Sequence, residues 1–131
     1  MYKTFNYDWK VDKRSLVAYG LDVCVFDTHA ELLDRYYNRR DCRNRVRNND
    51  IVALFIPSRD NGKFIGTIYL SRDNMSKETI IHEAFHAAIE LSKRLKRRVT
   101  SDRNEERLVG AAAQLASLLV DELGPMSTED K

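Results

Sequence analysis

The spacing of apolar positions changes part-way along the chain and predicts strands first and helices last. Ser15 to Phe26 (SLVAYGLDVCVF) is rich in Val, Leu and aromatics, which predicts one strand or a strand pair around Gly20. Asp27 or Thr28 is placed to cap a helix through about Tyr37, because Thr28 and Glu31 have capping-box spacing. Asn38 to Asp50 is polar, Arg-loaded and punctuated by Asn, as a loop would be. Asp50 to Pro57 and Lys63 to Leu70 are β-like runs, and the Asn61-Gly62 turn signal between them predicts antiparallel neighbours.

Beyond Leu70 the period becomes helical. Ser76 is a suitable N-cap for a helix to roughly Leu95, with Met75 and Ile80 placed as a hydrophobic staple. A second helix is predicted from about Asp102 to Leu123, ended by Gly124-Pro125. Residues 1–125 then form one domain and Met126 to Lys131 a frayed tail. The expected class is α+β: a small antiparallel or mixed sheet in the N-terminal two-thirds, followed by two long helices.

Composition narrows the class of function. The 131 residues include 22 Lys+Arg and 20 Asp+Glu, a formal charge of +2, with 43% hydrophobic residues. That apolar fraction supports a core, and the near-neutral charge argues against a dedicated nucleic-acid binder. The longest apolar run, Ile51 to Ile56, is too short to cross a bilayer, and the N-terminus has no apolar signal region. Cys24 and Cys42 make no disulfide framework. The expectation is a soluble, cytoplasmic protein that does not engage membranes.

The chemistry-bearing segment is His82-Glu83-Ala84-Phe85-His86, a match to H-E-x-x-H. Helical positions four apart differ by about 40° around the axis, so both imidazoles leave one face, and Zn²⁺ favours that ligand type. Glu83 lies about 100° from His82, at the flank, where it can act as general base on a water held by the ion. The competing reading is a polar stripe on an amphipathic helix, since Thr79, His82, Glu83, His86, Glu90 and Lys93 align. Ile80, Ile81, Ala84, Phe85, Ala87, Ala88, Leu91 and Leu95 fill the remaining arc, which predicts burial on most sides.

A hydrolytic zinc site needs a third protein ligand and an open position. The cysteines sit in unrelated segments, and His29 lies far back in sequence. On the second helix, Glu105 falls mid-stripe with Leu108, Val109, Ala112, Leu115, Ala116, Leu119, Val120 and Leu123. A carboxylate buried there without a partner costs several kcal/mol, so a nearby cation is expected. Two alternatives stand: Glu105 completes a capping box with Asp102, or Glu106 is the ligand.

His82-Glu83-Ala84-Phe85-His86 followed after seventeen residues by Asn104-Glu105 resembles the gluzincin arrangement of HExxH zinc metallopeptidases. The small size also resembles minimal peptidases of the ImmA/IrrE type and small phage-encoded predicted metallopeptidases. The resemblance covers roughly Lys63 to Leu123. It implies a minimal zincin fold, with His82, His86 and Glu105 as zinc ligands, Glu83 as base and a peptide or protein as substrate. It also implies an edge strand bordering the cleft, a place that Lys63 to Leu70 would take. Where thermolysin-like members carry an Asp four residues after the ligand Glu, this chain has Val109. Glu90 is the alternative partner for a metal-bound His, unless it pairs with Arg94. Tyr36, Tyr37, Tyr69 and His29 are all chemically able to stabilise an oxyanion.

Two basic segments remain. Arg39, Arg40, Arg43, Arg45 and Arg47 crowd one stretch, and Lys93, Arg94, Lys96, Arg97 and Arg98 another. They predict either a solvated basic face or a weak nucleic-acid contact. The expected activity is thus zinc-dependent peptide hydrolysis. The alternatives are a non-catalytic metal-binding or interaction module and a nucleic-acid-associated protein.

Overall fold

The computed structural model describes residues 2–10, 18–38, 51–59, 62–94 and 102–124. The Arg39–Arg47 stretch, Cys42, Asn61, residues 95–101 and the tail lie outside them. The class is α+β. Strands β1 (Tyr2–Lys10) and β2 (Ala18–Phe26) lead into helix α1 (His29–Tyr37). Strands β3 (Leu54–Pro57) and β4 (Phe64–Ser71) follow, then a 3₁₀ turn (Arg72–Asn74) and helices α2 (Lys77–Arg94) and α3 (Asp102–Leu123).

The sheet is mixed, in the order β1-β2-β4-β3. β1 pairs antiparallel with β2, β2 parallel with β4, and β3 antiparallel with β4. Thr28 caps α1 by accepting the Glu31 N–H at 3.2 Å, and the helix begins the crossover from β2 that continues through β3 to the parallel β4. β1 has no counterpart among the predicted elements. Its signal was present: Phe5 and Tyr7 alternate with exposed Thr4, Asn6 and Asp8.

The expected edge strand proves to be interior, because β4 is bonded on both sides and β3 forms the edge. The reason is local chemistry. β4 is nearly continuously apolar, with Ile65, Ile68 and Leu70 fully buried, whereas β3 is four residues long and ends in Pro57, which has no N–H to donate. Gly66 makes the close pairing possible. Its φ of +148° suits glycine, and a Cβ there would run into the Ile56 carbonyl oxygen.

Alternation divides β2 between two cores. Leu21, Val23 and Val25 join Ile80, Ala84, Leu91, Leu115 and Leu119 in the main core beneath α2 and α3. On the other face Phe26 packs with Leu32 and Leu33 of α1. Each large aliphatic side chain so buried contributes about 1.5–3 kcal/mol. Among the described residues no helix is long and apolar enough to cross a membrane.

The broad burial expected for α2 does not occur. Ile81, Phe85 and Ile89 are about 40% exposed (39, 42 and 43%), while Glu83, expected on the polar stripe, is 4% exposed. The sheet and α3 cover only one side of the helix, and that side carries Ile80, Glu83, Ala84, Ala87, Ala88 and Leu91. On α3, Val109 is likewise outside the buried stripe, at 52% exposure.

Candidate metal centre

The start of α2 sets the position of the site. Ser76 Oγ accepts the Thr79 N–H at 3.2 Å, and the Ser76 carbonyl accepts the Ile80 N–H at 3.0 Å. Met75 and Ile80, the expected staple, are both buried in the main core. The helix is thus fixed in rotation by its apolar side, leaving His82 and His86 on the open side one turn apart.

Their Nε2 atoms lie 3.1 Å apart, with the rings edge-to-face at 74°. At that distance an N–H of one ring can donate to the lone pair of the other. Two nitrogens each about 2.0–2.1 Å from one tetrahedral ion are roughly 3.3 Å apart. The pair therefore fits zinc with little movement. Ligand-capable atoms of His82, Glu83 and His86 all lie within 4.8 Å of one another.

Glu83 faces inward from the same turn. Its Oε1 is 3.9 Å from His82 Nε2, and its Oε2 is buried with no hydrogen-bond partner. Desolvation pushes the carboxyl up from 4.5 to about 7. A buried acid with an unpaired oxygen beside two imidazoles is a poor structural group, since leaving such a group unsatisfied costs about 1–3 kcal/mol or more. It is well suited to a cation or a transferable proton. Glu83 can serve either as a base beside the ion or as a ligand to it.

The site opens on a cleft of about 520 Å³. One wall is Tyr36 of α1 with the run Ile51 to Leu54, and the other is Glu78, Thr79, His82 and Glu83 of α2. Ile51 to Ala53 precede β3 and act as cleft wall, a role with no signal in the sequence, where they read as strand. His29 holds that wall: its Nε2–H donates to the Ile51 carbonyl at 2.6 Å, and its backbone N–H donates to Asp73 at 3.0 Å. It is a strut, not a ligand of the cluster.

Of the four residues able to stabilise an oxyanion, Tyr36 alone lines this cleft. Tyr37 packs edge-on against Tyr36, and Tyr69 stacks on Phe26. Glu90 bonds Arg94 Nε at 3.2 Å and is therefore committed to that pair. Arg94 also donates to the Gly62 and Ser58 carbonyls at 3.0 and 2.9 Å, so it belongs to an internal network and not to a basic face. Lys93 is exposed. Glu105 lies in the first turns of α3, with its side chain outside the described residues, and Glu106 is exposed. Half-buried Cys24 contacts Thr4 at 3.5 Å, on β2 outside this cluster. Comparison with protein-family models, with curated proteins and with solved structures gives no match.

Proposed function

We propose that the protein is a zinc-dependent peptidase of minimal zincin type, with His82, His86 and Glu105 as ligands and Glu83 as general base. The observation that carries this reading is the closeness of the two Nε2 atoms, 3.1 Å, beside a buried carboxyl with an unpaired oxygen. A surface polar stripe would leave Glu83 solvated; here it is 4% exposed.

Zinc, when bound, supplies Lewis acidity that polarises a carbonyl and makes water a nucleophile near neutral pH. His82 and His86 would hold it through ring nitrogens. Glu83 accepts the proton of the attacking water and returns it to the leaving amine nitrogen. A carboxyl near 7 exchanges protons readily at neutral pH. Tyr36, across the cleft, is the side chain suited to hydrogen-bond the carbonyl oxygen of a bound peptide.

The test pairs metal analysis with peptide hydrolysis for wild type and Glu83→Gln. Wild type should carry zinc and hydrolyse peptides, and the variant should keep zinc while losing about 10²–10⁴ in rate. Undiminished hydrolysis in the variant, or no zinc uptake by wild type, ends the proposal. Loss of zinc from the variant makes Glu83 a ligand and removes it as the base.

A further inference from the structure

We infer that the cleft selects peptides placing a bulky apolar side chain beside the scissile bond, with the exposed Val52 setting that preference. This rests on the peptidase reading and adds a substrate class to it. Ile51, Val52, Ala53 and Leu54 present four consecutive apolar residues to the space in front of His82 and Glu83. Val52 is 43% exposed there, an apolar surface left uncovered next to the candidate chemistry. Such a surface gains free energy only from an apolar occupant.

Charge narrows the occupant further. The two acids lining the cleft are Glu78 and Glu83, and no lysine or arginine lines it among the described residues. An acidic side chain would meet like charge over apolar surface and lose solvation without a partner. At about 520 Å³ the space lies within the roughly 300–1,000 Å³ of pockets that enclose small ligands, which suits a short peptide segment. The His29 bond to the Ile51 carbonyl holds the wall in place, so the preference is built in before binding.

The test uses the full chain as Glu83→Gln in the presence of zinc, with ¹³C-methyl NMR as the readout. The probes are capped pentapeptides Ala-Ala-Xaa-Ala-Ala with Leu, Phe, Ala or Glu at the centre. The Leu and Phe peptides should shift the methyls of Ile51, Val52 and Leu54 and bind at least about tenfold more tightly than the Ala peptide. The Glu peptide should bind more weakly than the Leu and Phe peptides, because the apolar wall offers its carboxylate no partner. Val52→Asp, at an exposed position, should erase the Leu preference, with the Ile68 and Ile80 methyls reporting an intact core. Equal binding of the four peptides, no binding, or shifts confined to other surfaces overturns the inference. Wild-type hydrolysis of the same peptides separates the two ideas. Selective binding without cleavage defeats the peptidase reading alone, and cleavage without preference defeats only the inference.

Discussion

The Nε2 atoms of His82 and His86 face each other at 3.1 Å across one turn of α2, on the side of the helix away from the core. That distance needs no rearrangement of the fold to accept an ion, so metal binding should stabilise the folded chain by mass action. Zinc at about 100 times its Kd should add about 2.7 kcal/mol, or roughly 10 °C in Tm. Calorimetry with zinc and then a chelator checks this, and either His82→Ala or His86→Ala should abolish the shift. Glu105→Ala should weaken zinc binding far more than Glu106→Ala; the reverse ranking moves the third ligand to Glu106.

Burial raises Glu83 from 4.5 to about 7, so the metal-free folded chain binds this proton more tightly than the unfolded chain. The stability linked to it is fully present below about 4.5 and is lost as pH rises towards about 7. Glu83→Gln has no charge to bury. Relative to wild type it should gain on the order of 2 kcal/mol between pH 4.5 and 8 in urea titrations without metal. A constant difference across that range would mean the carboxyl is solvated. Zinc should shrink the effect, because a dication favours the charged form.

Arg94 is the fastening between α2 and the β3–β4 connection. Its side chain is 4% exposed, Glu90 is 18% exposed, and the same guanidinium donates to the Gly62, Ser58 and Ile65 carbonyls. Arg94→Ala strands a carboxylate and these acceptors and should cost about 3 kcal/mol, read from the urea midpoint. Glu90→Gln should leave zinc affinity nearly unchanged, because Glu90 is engaged with Arg94. A tenfold loss of affinity would reinstate it as a partner of His86.

Gly66 holds β3 against β4 at the edge that leads into the cleft wall. Gly66→Ala combines φ of +148° with a Cβ 2.9 Å from Pro57 Cα and should cost roughly 3 kcal/mol. Hydrogen exchange should then show β3 opening ahead of β1 and β2. Protection equal to wild type across Leu54–Pro57 would show that the edge tolerates the side chain.

Helix boundaries were legible because capping is a matter of a few neighbouring residues. Thr28 with Glu31, Ser76 with Thr79, and Gly124 after Leu123 lie close to the ends seen in the structure. The parallel pairing of β2 with β4 was not legible, since nothing near Gly20 or Phe64 records the other strand. β1 lies outside the predicted elements despite its alternation, and β4 is interior where an edge strand was expected. Glu90 carried two local possibilities, and only the position of Arg94 beneath the Ser58 and Gly62 carbonyls chose between them.

By itself the sequence determined the α+β order of elements and the adjacency of His82 and His86, because helical geometry over four residues needs no help from the rest of the chain. Tertiary structure alone decided that Glu83 turns inward, that Ile81, Phe85 and Ile89 stay open, and that Tyr36 and Ile51 to Leu54 share a cleft with His82. Burial and shared clefts depend on which elements pack together. Distant residues fix that packing, and no spacing within one segment encodes it.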